Sequence, residues 1–529
     1  MTVLQKNDRD VTFAETFDVV VVGYGFAGAF AAIAAADAGA KVLVLEKAAI
    51  PGGISLCSYG SVRSAHDPDK AFAYLKQTNA GRIPDAVLRR LADGMAGVEE
   101  QVRGLAAVNG STVKTRESEG NYPFEGTDTF YDTLIVDIPG VPDCAELYPN
   151  LSGSRAANGW RLFKVLEDNV AKRAIEVRFE RRAERLIVDE TGAVTGLHVR
   201  GPSGEAVAIA ASRGIVLACG GFEADPSMKE QYWQKQPVLA AATVTNTGDG
   251  IRMAQDLGAD LWHMWHYHGS YGFRHPDPDV SLAIRAKRLP DWMPGREDEA
   301  KVGMSWIIVD QDGRRYMNEC EPYAQDTTHR PMEYYDTARQ IFPRIPSHMI
   351  FDERSRSLYP VGIPTFNAVG VSYDWSPDNL REVENGLLKK AENMAELAAI
   401  LGMEETVLRD TLDRWNAACR AGHDGEFGRP KGTMVPVETA PFYVGSLWPV
   451  VSNTQGGPVH DERQRILDVY GEPIPRLYEA GELGSAFGFL YLAGGNLAEC
   501  AVGGAIAGRE AASLSSRIAN SSQVTRTDA

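Results

Sequence analysis

The stretch Asp18–Gly28, DVVVVGYGFAG, determines what the first part of this chain must be. Four valines form an apolar, β-branched run typical of buried strands, and they lead directly into glycines with the spacing G-x-G-x-x-G. Residues 28–38 are rich in alanine and predict a helix, and the segment KVLVLE at 41–46 predicts a second buried strand. The three elements together predict a βαβ unit that binds a dinucleotide.

The three glycines have different roles in such a unit. Gly23 makes the tight turn after the strand, Gly25 lets the backbone approach a pyrophosphate, and Gly28 lets the helix pack on the strand. The first turn of the helix presents backbone N–H groups and a partial positive charge to the phosphates. Phe26 and Ala27 lie in this turn, so they are predicted to contact the cofactor together with the glycines.

An acidic residue ends the second strand at the position expected for ribose recognition. Glu46 lies 18 residues after Gly28, close to the usual spacing for a carboxylate that binds a ribose hydroxyl. The segment 47–60 is rich in small residues, which suits either an ordinary turn or a close backbone approach to a flat cofactor ring. The cofactor-binding candidates in this segment are Lys47, Gly52, Gly53, Ile54 and Ser55.

The composition fits a large acidic protein with two or more domains. The chain has 529 residues, 44% of them hydrophobic, and its net charge of −17 argues against nucleic acid or an anionic membrane as a partner. No apolar run predicts a membrane span, and residues 1–12 are too polar for a signal peptide. Six cysteines without a C-x-x-C pair indicate free thiols and no zinc or haem site, so we expect a cytoplasmic protein.

Periodicity and turn residues predict further elements along the chain. A single amphipathic helix is predicted over residues 88–105, and a β-meander over residues 175–199. The buried strand at 214–222 is predicted to return beside the first strand, and residues 306–319 to form a hairpin. The remaining predicted elements are helices at 394–401 and 407–419, a strand at 477–482 and a helix from 494 to about 512.

The character of the sequence changes at residue 262, where tryptophan, tyrosine and histidine crowd seven positions. No carboxylate or thiol joins the histidines at ligand spacing, so we interpret them as structural residues or pocket wall and predict no metal site. The chain is divided accordingly. We predict a nucleotide-binding domain in two parts, 1–270 and 441–529, with an inserted domain at 271–440.

Eight segments resemble the flavoproteins that include fumarate reductase, urocanate reductase and the 3-ketosteroid dehydrogenases. The matching segments are VVVVGYGFAG, VLEKAAIPGG, VLACGGF, NTGDG, DQDGRRYMNE, NTQGGP, LYEAGELGS and GGNLAECAVGGAIAG. The resemblance implies an α/β fold. Its Rossmann-like domain, a parallel sheet with a β-meander, would bind FAD non-covalently, and an inserted α+β cap domain would close over the reactive N5.

The resemblance also implies roles for individual residues. Glu46 would hold the adenosine ribose, and Asn496 and Leu497 would contact the pyrimidine edge of the flavin. The residues expected along the pyrophosphate, ribitol and flavin are Gly52, Gly53, Ser55, Asp249 and Glu482. The expected FAD contacts are completed by Ala183, Cys219 and Gly220.

The sequence departs from the fumarate reductases where those enzymes hold two carboxylates with Arg and His. Tyr491 lies near the L-A-G-G-N segment that an Arg precedes in those enzymes, and Asn453 stands in the T-Q-G-G segment where they have a His. Since a phenol cannot supply the charge of a guanidinium, a dicarboxylate substrate is disfavoured. We therefore expect phenols in the pocket in place of guanidinium and imidazole.

Tyrosines suit a ketone substrate, because a hydroxyl can stabilise an enolate oxygen and a phenolate can take a proton. The 3-ketosteroid dehydrogenases use a tyrosine shortly after an N-E pair, and Tyr323 has that position here. The resemblance thus implies desaturation beside a ketone such as a 3-ketosteroid, or its reverse. Tyr323 is the predicted proton carrier and Tyr491 the carbonyl partner, with the roles open to exchange. Tyr316 is a third candidate that would also suit plain strand packing.

Two other functions remain open. The first is reduction of an unsaturated acid, with Arg285, Arg288 or Arg296 as proton donor. The second is an electron-transfer flavoprotein subunit of a larger complex, although there is no histidine at 55–60 for covalent flavin attachment. A second G-x-G-x-x-G unit is not evident, so we expect an external electron donor or acceptor.

Overall fold

The computed structural model describes residues 11–141, 143–152, 158–287, 306–320 and 323–516. The strands are β1 (Glu15–Val22), β2 (Val42–Leu45), β3 (Val62–Ala65), β4 (Thr112–Glu117), β5 (Phe130–Asp137), β6 (Glu176–Arg178), β7 (Arg182–Val188), β8 (Val194–Arg200), β9 (Ala206–Leu217), β10 (Leu239–Ala240), β11 (Leu261–Trp262), β12 (Tyr267–Phe273), β13 (Ile284–Arg285), β14 (Ile307–Val309), β15 (Ser347–Asp352), β16 (Leu388–Ala391), β17 (Phe442–Thr454), β18 (Gly457–Pro458), β19 (Arg465–Leu467) and β20 (Pro473–Glu479). The helices are α1 (Phe26–Asp37), α2 (Pro68–Asn79), α3 (Asp85–Met95), α4 (Val98–Ala106), α5 (Gly159–Lys172), α6 (Pro226–Tyr232), α7 (Asp249–Asp256), α8 (Ala324–Thr327), α9 (Glu353–Arg356), α10 (Leu380–Glu384), α11 (Met394–Leu401), α12 (Glu405–Ala421) and α13 (Gly495–Ser513).

A parallel sheet is built around the valine run of β1. Strands β2 and β9 flank β1, β6 extends the sheet beyond β2, and β20 extends it beyond β9, all in parallel register. The side chains of Val19, Val20 and Val21 are fully buried, as expected for a strand covered on both faces. Strands β7 and β8 add the antiparallel β-meander next to β9. The predicted α/β fold with a parallel sheet is therefore confirmed.

Two helices rich in small residues pack closely on one another beside this sheet. An added Cβ at Gly504 of α13 would lie 2.7 Å from the Ala27 carbonyl oxygen of α1, and one at Gly508 would lie 2.1 Å from that of Ala31. The two backbones therefore approach more closely than larger side chains would permit. The predicted helix near the end of the chain is confirmed, and it returns to the first βαβ unit.

A second, mostly antiparallel sheet is organised around the long strand β17. Strands β12 and β15 flank it, β13 and β14 form the edges, and β10 and β16 pair with other parts of β17. Its buried side chains include Trp306, Met349 and Phe351, and α11 and α12 pack on it through Leu397 and Leu412. A third sheet, in the order β3-β5-β4, is smaller. The domain bounds near 270 and 440 remain a prediction.

Three local predictions were wrong in detail. The predicted helix at 88–105 is two helices, because α3 ends at Met95 and a turn at Ala96 and Gly97 precedes the start of α4 at Val98; glycine has a low helix propensity. Strand β6 is not part of the meander but pairs in parallel with β2. The residues at 306–319 do not form a self-contained hairpin, because β14 has its ladder with β15 and only a bridge joins Val309 to Arg315.

Candidate active site

A cavity of about 780 Å³ lies at the carboxyl ends of β1, β2 and β9. Parallel α/β sheets bind ligands at this edge. Its wall also receives residues from β12, β13 and β17 of the second sheet and from the start of α13. Every residue predicted from the sequence to bind the cofactor lines this cavity except Gly28, which lies behind the wall.

The glycines at the start of α1 leave no room for side chains. Gly23 has a φ of +104°, and an added Cβ would lie 2.2 Å from the Ala218 carbonyl oxygen. An added Cβ at Gly28 would lie 2.0 Å from the Gly23 carbonyl oxygen, so Gly28 is where the helix meets the strand end. These close approaches agree with the roles expected of the motif.

The N-terminus of α1 is open to the cavity. Gly25 precedes the helix without a capping side chain, and there is no acidic residue in the first turn. The Phe26 N–H donates to Ser55 Oγ at 3.0 Å, which fixes the glycine-containing loop that carries Gly52 and Gly53 against the helix start. The partial positive charge of the helix end therefore faces the space in which a pyrophosphate would lie.

Glu46 is held at the end of β2 by backbone N–H groups that contact both of its carboxylate oxygens. Its Oε2 accepts the Tyr24 N–H at 3.0 Å, and its Oε1 accepts the Ala48 N–H at 2.8 Å. Burial raises the pKa of Glu46, and the two backbone N–H groups oppose that rise. A carboxylate oxygen accepts more than one hydrogen bond, so this arrangement suits recognition of a ribose hydroxyl.

Asp249 and its neighbours form a charged edge of the cavity. Its carboxylate accepts a hydrogen bond from Lys47 Nζ at 2.8 Å and another from Arg182 Nη2 at 2.8 Å. Burial would raise the pKa of Asp249, but these two cations hold it below its usual value. Asp249 is thus ionised, and it positions Lys47 beside Glu46. Residues Ala183, Cys219 and Gly220 line the same region.

Glu482 lies on the wall as one of two neighbouring buried carboxyl groups. Its Oε1 accepts the Thr454 N–H at 2.9 Å, and Asn246 Nδ2 lies 2.8 Å from Glu223 Oε1 and 3.4 Å from Glu482 Oε2. Burial raises the pKa of both carboxyl groups, and each group also bears on the other. Asn246 therefore bridges an acid pair of which one member faces the cavity.

Asn496 lies in the first turn of α13, a second helix that follows a glycine and has its N-terminus at the cavity. The helix α13 follows Gly494, which has no capping side chain, and Asn496 and Leu497 line the wall. The Asn496 side chain is fixed on both sides, because its Oδ1 accepts from Asn453 Nδ2 at 3.1 Å and its Nδ2 donates to Glu499 Oε2 at 3.1 Å. A second helix N-terminus is thus available to a polar or anionic edge of a cofactor.

Two of the three predicted catalytic tyrosines meet in this cavity. Tyr323 and Tyr491 are both buried wall residues, with ring centroids 6.4 Å apart and planes at 25°. His268 lies next to both, with Tyr323 Oη 3.4 Å from His268 Nε2 and the Tyr491 ring centroid 4.1 Å from that of His268. Burial raises the pKa of Tyr491 well above its usual value, which keeps the phenol protonated near neutral pH.

His268 is a site residue that the sequence alone did not single out. Its Nδ1 lies 3.1 Å from Asn453 Oδ1, which can only accept, so Nδ1 carries a proton and Nε2 of the neutral ring accepts from the Tyr323 hydroxyl. The histidine-rich stretch at 262–268 had been interpreted as structural or pocket wall. Both interpretations apply, because His266 is buried and donates from Nδ1 to the Phe487 carbonyl oxygen at 2.8 Å, whereas His268 faces the cavity.

Tyr316, the third predicted catalytic residue, does not line the cavity. Its ring belongs to the core of the second sheet, and its hydroxyl lies 2.7 Å from Ser347 Oγ. The sequence pattern could not distinguish this packing role from a catalytic one, because both use a tyrosine beside the same R-R-Y-M-N-E segment. Tyr316 therefore lies apart from the part of the wall formed by Tyr323 and Tyr491.

The expectation that phenols replace guanidinium and imidazole in the pocket is wrong in that form. Arg63, Arg285 and His268 all line the cavity. Arg63 is buried, donates to the carbonyl oxygens of Ala493 at 2.7 Å and Ser118 at 2.5 Å, and so supports the wall. Arg285 lies half-buried on β13. The other two arginines named as proton donors, Arg288 and Arg296, lie outside the described residues.

A buried carboxylate fixes the backbone of the tyrosine loop. Asp326 Oδ2 accepts the Tyr491 N–H at 2.9 Å and the Tyr122 hydroxyl at 2.6 Å, and the Asp326 N–H donates to the Tyr323 carbonyl oxygen at 2.9 Å. Asp326 is completely buried, yet the positive charge of Arg330 and the polar contact of His266 keep its pKa below the usual value against the effect of burial. Asp326 thus joins the segments that carry both phenols.

Two structural features are absent from the described residues. Across the described ranges, no group of three or more His, Cys, Asp and Glu residues is placed to hold a metal ion. None of the helices in the same ranges is long and apolar enough to cross a membrane.

Comparison with known proteins agrees with this geometry. The chain is 27% identical to the 4-oxocyclohexanecarboxylate 2-dehydrogenase of Sinomonas cyclohexanicum, over 88% of this chain and 87% of that protein. It is 26% identical to a fumarate reductase (cytochrome) of Shewanella frigidimarina, over 97% of this chain and 80% of that protein. Its fold is similar to the crystal structure of 3-ketosteroid delta1-dehydrogenase from Sterolibacterium denitrificans, with a TM-score of 0.76 and 22% identity over 94% of this chain and 99% of that one.

Three features of the cavity fit a dinucleotide. Two helix N-termini that follow glycines face it, one carboxylate is placed to bind a ribose hydroxyl, and glycines at the start of α1 leave no room for a side chain. The sequence profile of the family described as "FAD binding domain" matches residues 18–497. That match covers most of the chain. The protein therefore belongs to the FAD binding domain family of oxidoreductases, and FAD is its cofactor.

Proposed function

We propose that the enzyme desaturates, or in reverse reduces, the carbon–carbon bond next to a ketone, with a 3-ketosteroid or a similar cyclic ketone as substrate. The observation that carries this proposal is the meeting of Tyr323, Tyr491 and His268 on one part of the cavity wall. Such a group offers both a neutral hydroxyl donor and a proton acceptor. These are the two functions that chemistry at the carbon next to a carbonyl requires.

Tyr491 holds the carbonyl oxygen in this proposal. Its raised pKa keeps it a hydrogen-bond donor at neutral pH, and its position in a buried wall strengthens a hydrogen bond to an oxygen that gains negative charge. The backbone of Tyr491 is fixed by Asp326, so the hydroxyl does not have to be reoriented during the reaction.

Tyr323 and His268 move the proton. The proton of the carbon next to the ketone passes to the Tyr323 oxygen while the hydroxyl proton of Tyr323 moves to His268 Nε2, 3.4 Å away. The imidazolium that forms is stabilised by Asn453 Oδ1, which accepts from Nδ1 at 3.1 Å. FAD, when bound, supplies the acceptor or donor of the hydride at the neighbouring carbon.

A ketone substrate is also supported by one of the relatives. The name of the Sinomonas cyclohexanicum dehydrogenase states that it acts on 4-oxocyclohexanecarboxylate, which combines a cyclic ketone with a carboxylate. A cyclic ketone would fit the mixed wall of phenols and small apolar residues in this cavity. We therefore propose that cyclic ketones are better substrates of this enzyme than open-chain ketones.

Reduction of an unsaturated carboxylate is a second candidate function, and Arg285 is the observation that favours it. A guanidinium on the cavity wall suits a carboxylate, and His268 would provide a second contact. The Shewanella frigidimarina relative is named a fumarate reductase. In this alternative the two tyrosines would shape the pocket without carrying a proton.

A substrate panel separates the two candidates. Purified FAD-loaded enzyme is assayed with androstenedione and cyclohexanone derivatives in the presence of an oxidising dye, and with fumarate and urocanate in the presence of a reducing dye. The proposal predicts turnover of ketones. Turnover of the acids alone would refute the ketone function and leave the acid reductase.

The electron partner and the cellular location of the enzyme are also part of this proposal. The electron donor or acceptor is external, because a second dinucleotide-binding motif is not evident in the sequence. We place the enzyme in the cytoplasm on the basis of its cysteine usage.

A further inference from the structure

A second, smaller concavity lies on the sheet organised by β17. This groove has a volume of about 210 Å³, and none of its wall residues belongs to the FAD cavity. Part of its wall is apolar and includes Phe273, Val444 and Trp448 from β12 and β17. Ile400 and Leu401 of α11 add to the apolar part. The groove can therefore accept a small hydrophobic body.

The charged groups of the groove have a single sign. Arg274, His275, His348 and Lys389 lie on its wall, and the described wall includes no Asp or Glu. Burial and the charge of Lys389 lower the pKa of His348 to about 4, so this ring is neutral near pH 7. Two cations, Arg274 and Lys389, remain. In a chain with a net charge of −17, this local excess of positive charge favours an anionic ligand.

His275 presents a buried donor in the groove that lacks an acceptor. Its Nδ1 accepts the Asp277 N–H at 3.1 Å, so the proton of the neutral ring is on Nε2. Within the described ranges this Nε2 has no hydrogen-bond partner, although it is buried. The ring is held edge-on to Tyr373 at a centroid distance of 5.6 Å. Because the protein itself encloses this Nε2, a ligand in the groove does not reach it, and the positive charge offered to a ligand comes from Arg274 and Lys389.

Arg274 is placed over the aromatic part of the wall. Its guanidinium carbon lies 4.8 Å from the centroid of the Trp448 ring. Neither Arg274 nor Lys389 forms a salt bridge with any carboxylate of the described residues. A guanidinium over an indole, in a groove that a lysine also lines, brings the charge and the apolar surface of the groove together.

We propose that this groove is a second binding site, distinct from the FAD cavity, for a small monocarboxylate that carries a ring. The carboxylate would lie between Arg274 and Lys389, with the ring on Trp448 and Phe273. The two sites share strands β12 and β17, which carry His268 and Asn453 to the FAD cavity. The proposal does not depend on the reaction catalysed in that cavity.

Calorimetric titration of the FAD-loaded enzyme with cyclohexanecarboxylate and benzoate tests this site. Arg274→Met and Lys389→Met are each expected to weaken binding roughly tenfold, because each removes one charge-assisted contact. Lys390→Met is the matched control. Lys390 is adjacent in β16, pairs with Glu392 at 2.6 Å and does not line the groove, so its variant should bind as the wild type does. Benzamide, which has the ring without the charge, should bind much more weakly.

Three results would overturn the proposal. One is the absence of binding by the wild-type enzyme at millimolar ligand. Another is equal affinity of the Arg274→Met, Lys389→Met and Lys390→Met variants, or of benzoate and benzamide. The third is binding that is lost in Arg285→Met but kept in both groove variants, because that result would assign the carboxylate to the FAD cavity. Circular dichroism of each variant shows whether its fold is intact.

Discussion

At the scale of single residues, the candidate chemistry depends on three side chains that are far apart in the sequence. Tyr323 Oη and His268 Nε2 are 3.4 Å apart, and the Tyr491 ring lies 4.1 Å from the His268 ring. Their roles in the proposed reaction differ, since one phenol exchanges a proton with the imidazole and the other holds an oxygen. Substitutions that remove only a hydroxyl can therefore separate the two roles.

Tyr323→Phe is expected to lower kcat for a ketone substrate by roughly 10²–10⁴-fold, the range for loss of a general acid or base. Tyr491→Phe should lower kcat by roughly 10²–10³-fold, since it removes one donor to the developing oxyanion. Steady-state kinetics with a dye acceptor provides the measurement. Tyr316→Phe is the control, because Tyr316 packs on the second sheet away from the cavity and should leave kcat near that of the wild type. Equal effects in all three variants would show that the tyrosines matter only for packing.

Asp326→Asn tests how the protonation of Tyr491 is set. The ionised carboxylate contributes to the raised pKa of Tyr491, since a nearby negative charge disfavours the phenolate. Without that charge the phenolate forms at a lower pH. An alkaline limb of the kcat/KM profile that reports Tyr491 should therefore move to lower pH in the variant, while burial, the main cause of the raised pKa, is unchanged.

Asp352→Asn is the matched control for this shift. Asp352 is also completely buried and accepts backbone N–H groups, from Glu438 at 3.0 Å and Thr439 at 2.9 Å, but it does not line the FAD cavity. Its variant should lose stability without moving the alkaline limb. A limb that stays in place in Asp326→Asn would mean that Asp326 acts through packing alone.

The sequence was informative about residues whose role depends on local geometry. The roles of Gly23 and Gly28 follow from motif spacing, because turn and helix start are adjacent in the chain. His268 could not be identified in this way. Its partners are Tyr323, 55 residues away, and Asn453, 185 residues away, so only the folded chain brings them together. The packing of Tyr316 on the second sheet likewise depends on a distant residue, Ser347, which is 31 positions away.

At the scale of elements, the cofactor end depends on the contact between α1 and the end of β1. The Gly28 position is helical, and an added Cβ there would lie 2.0 Å from the Gly23 carbonyl oxygen. Neither partner can move without shifting the glycine turn that faces the cavity. A change at Gly28 should therefore affect both stability and FAD affinity.

Gly28→Ala is expected to lower the free energy of unfolding by about 1–3 kcal/mol, the usual cost of overpacking, and to weaken FAD binding. Gly104→Ala is the control, since Gly104 lies on the exposed side of α4 with no atom within 4 Å of an added Cβ. It should stabilise the protein by about 0.5–1 kcal/mol, because alanine is the better helix former. Denaturant unfolding and flavin fluorescence report the two quantities. Unchanged FAD affinity in Gly28→Ala would contradict the tight-packing account.

Elements were predicted well wherever burial or periodicity was strong. The strand at 214–222 and the helices at 394–401 and 407–419 were found because their apolar patterns are continuous. The break between α3 and α4 was missed because the apolar spacing continues across Ala96 and Gly97. Partners were harder to predict than elements. The pairing of β14 with β15 depends on residues about 40 positions away, which local periodicity does not report.

At the scale of the whole molecule, several buried carboxyl groups lie beside the FAD cavity in an otherwise apolar region. Burial is the first cause of a raised pKa in each of Glu223, Glu479, Glu482 and Glu499. A carboxyl group with a raised pKa in the folded state keeps its proton when the unfolded chain has already lost it. Such groups make the folded protein less stable as the pH rises.

Glu499→Gln measures one member of this cluster. The pKa of Glu499 rises from 4.5 to about 7 on folding, because burial and the nearby Glu482 outweigh the hydrogen-bond donors that oppose the rise. Relative to the variant, the wild type should lose about 3 kcal/mol of folding free energy between about pH 4.5 and pH 7. Denaturant titrations of both proteins across this range give the difference. A constant difference would show that Glu499 has the same pKa in both states.

The proposed reaction at a ketone is tested most directly by anaerobic mixing of the FAD-loaded enzyme with a cyclic ketone deuterated at the carbon next to the carbonyl. The account predicts that the yellow absorbance of the flavin is lost within a single turnover. It also predicts that deuterium at this carbon slows the loss, and that Tyr323→Phe slows it by the factor given above. A flavin that stays oxidised with every ketone offered, while the reduced enzyme is reoxidised by fumarate or urocanate, would contradict it.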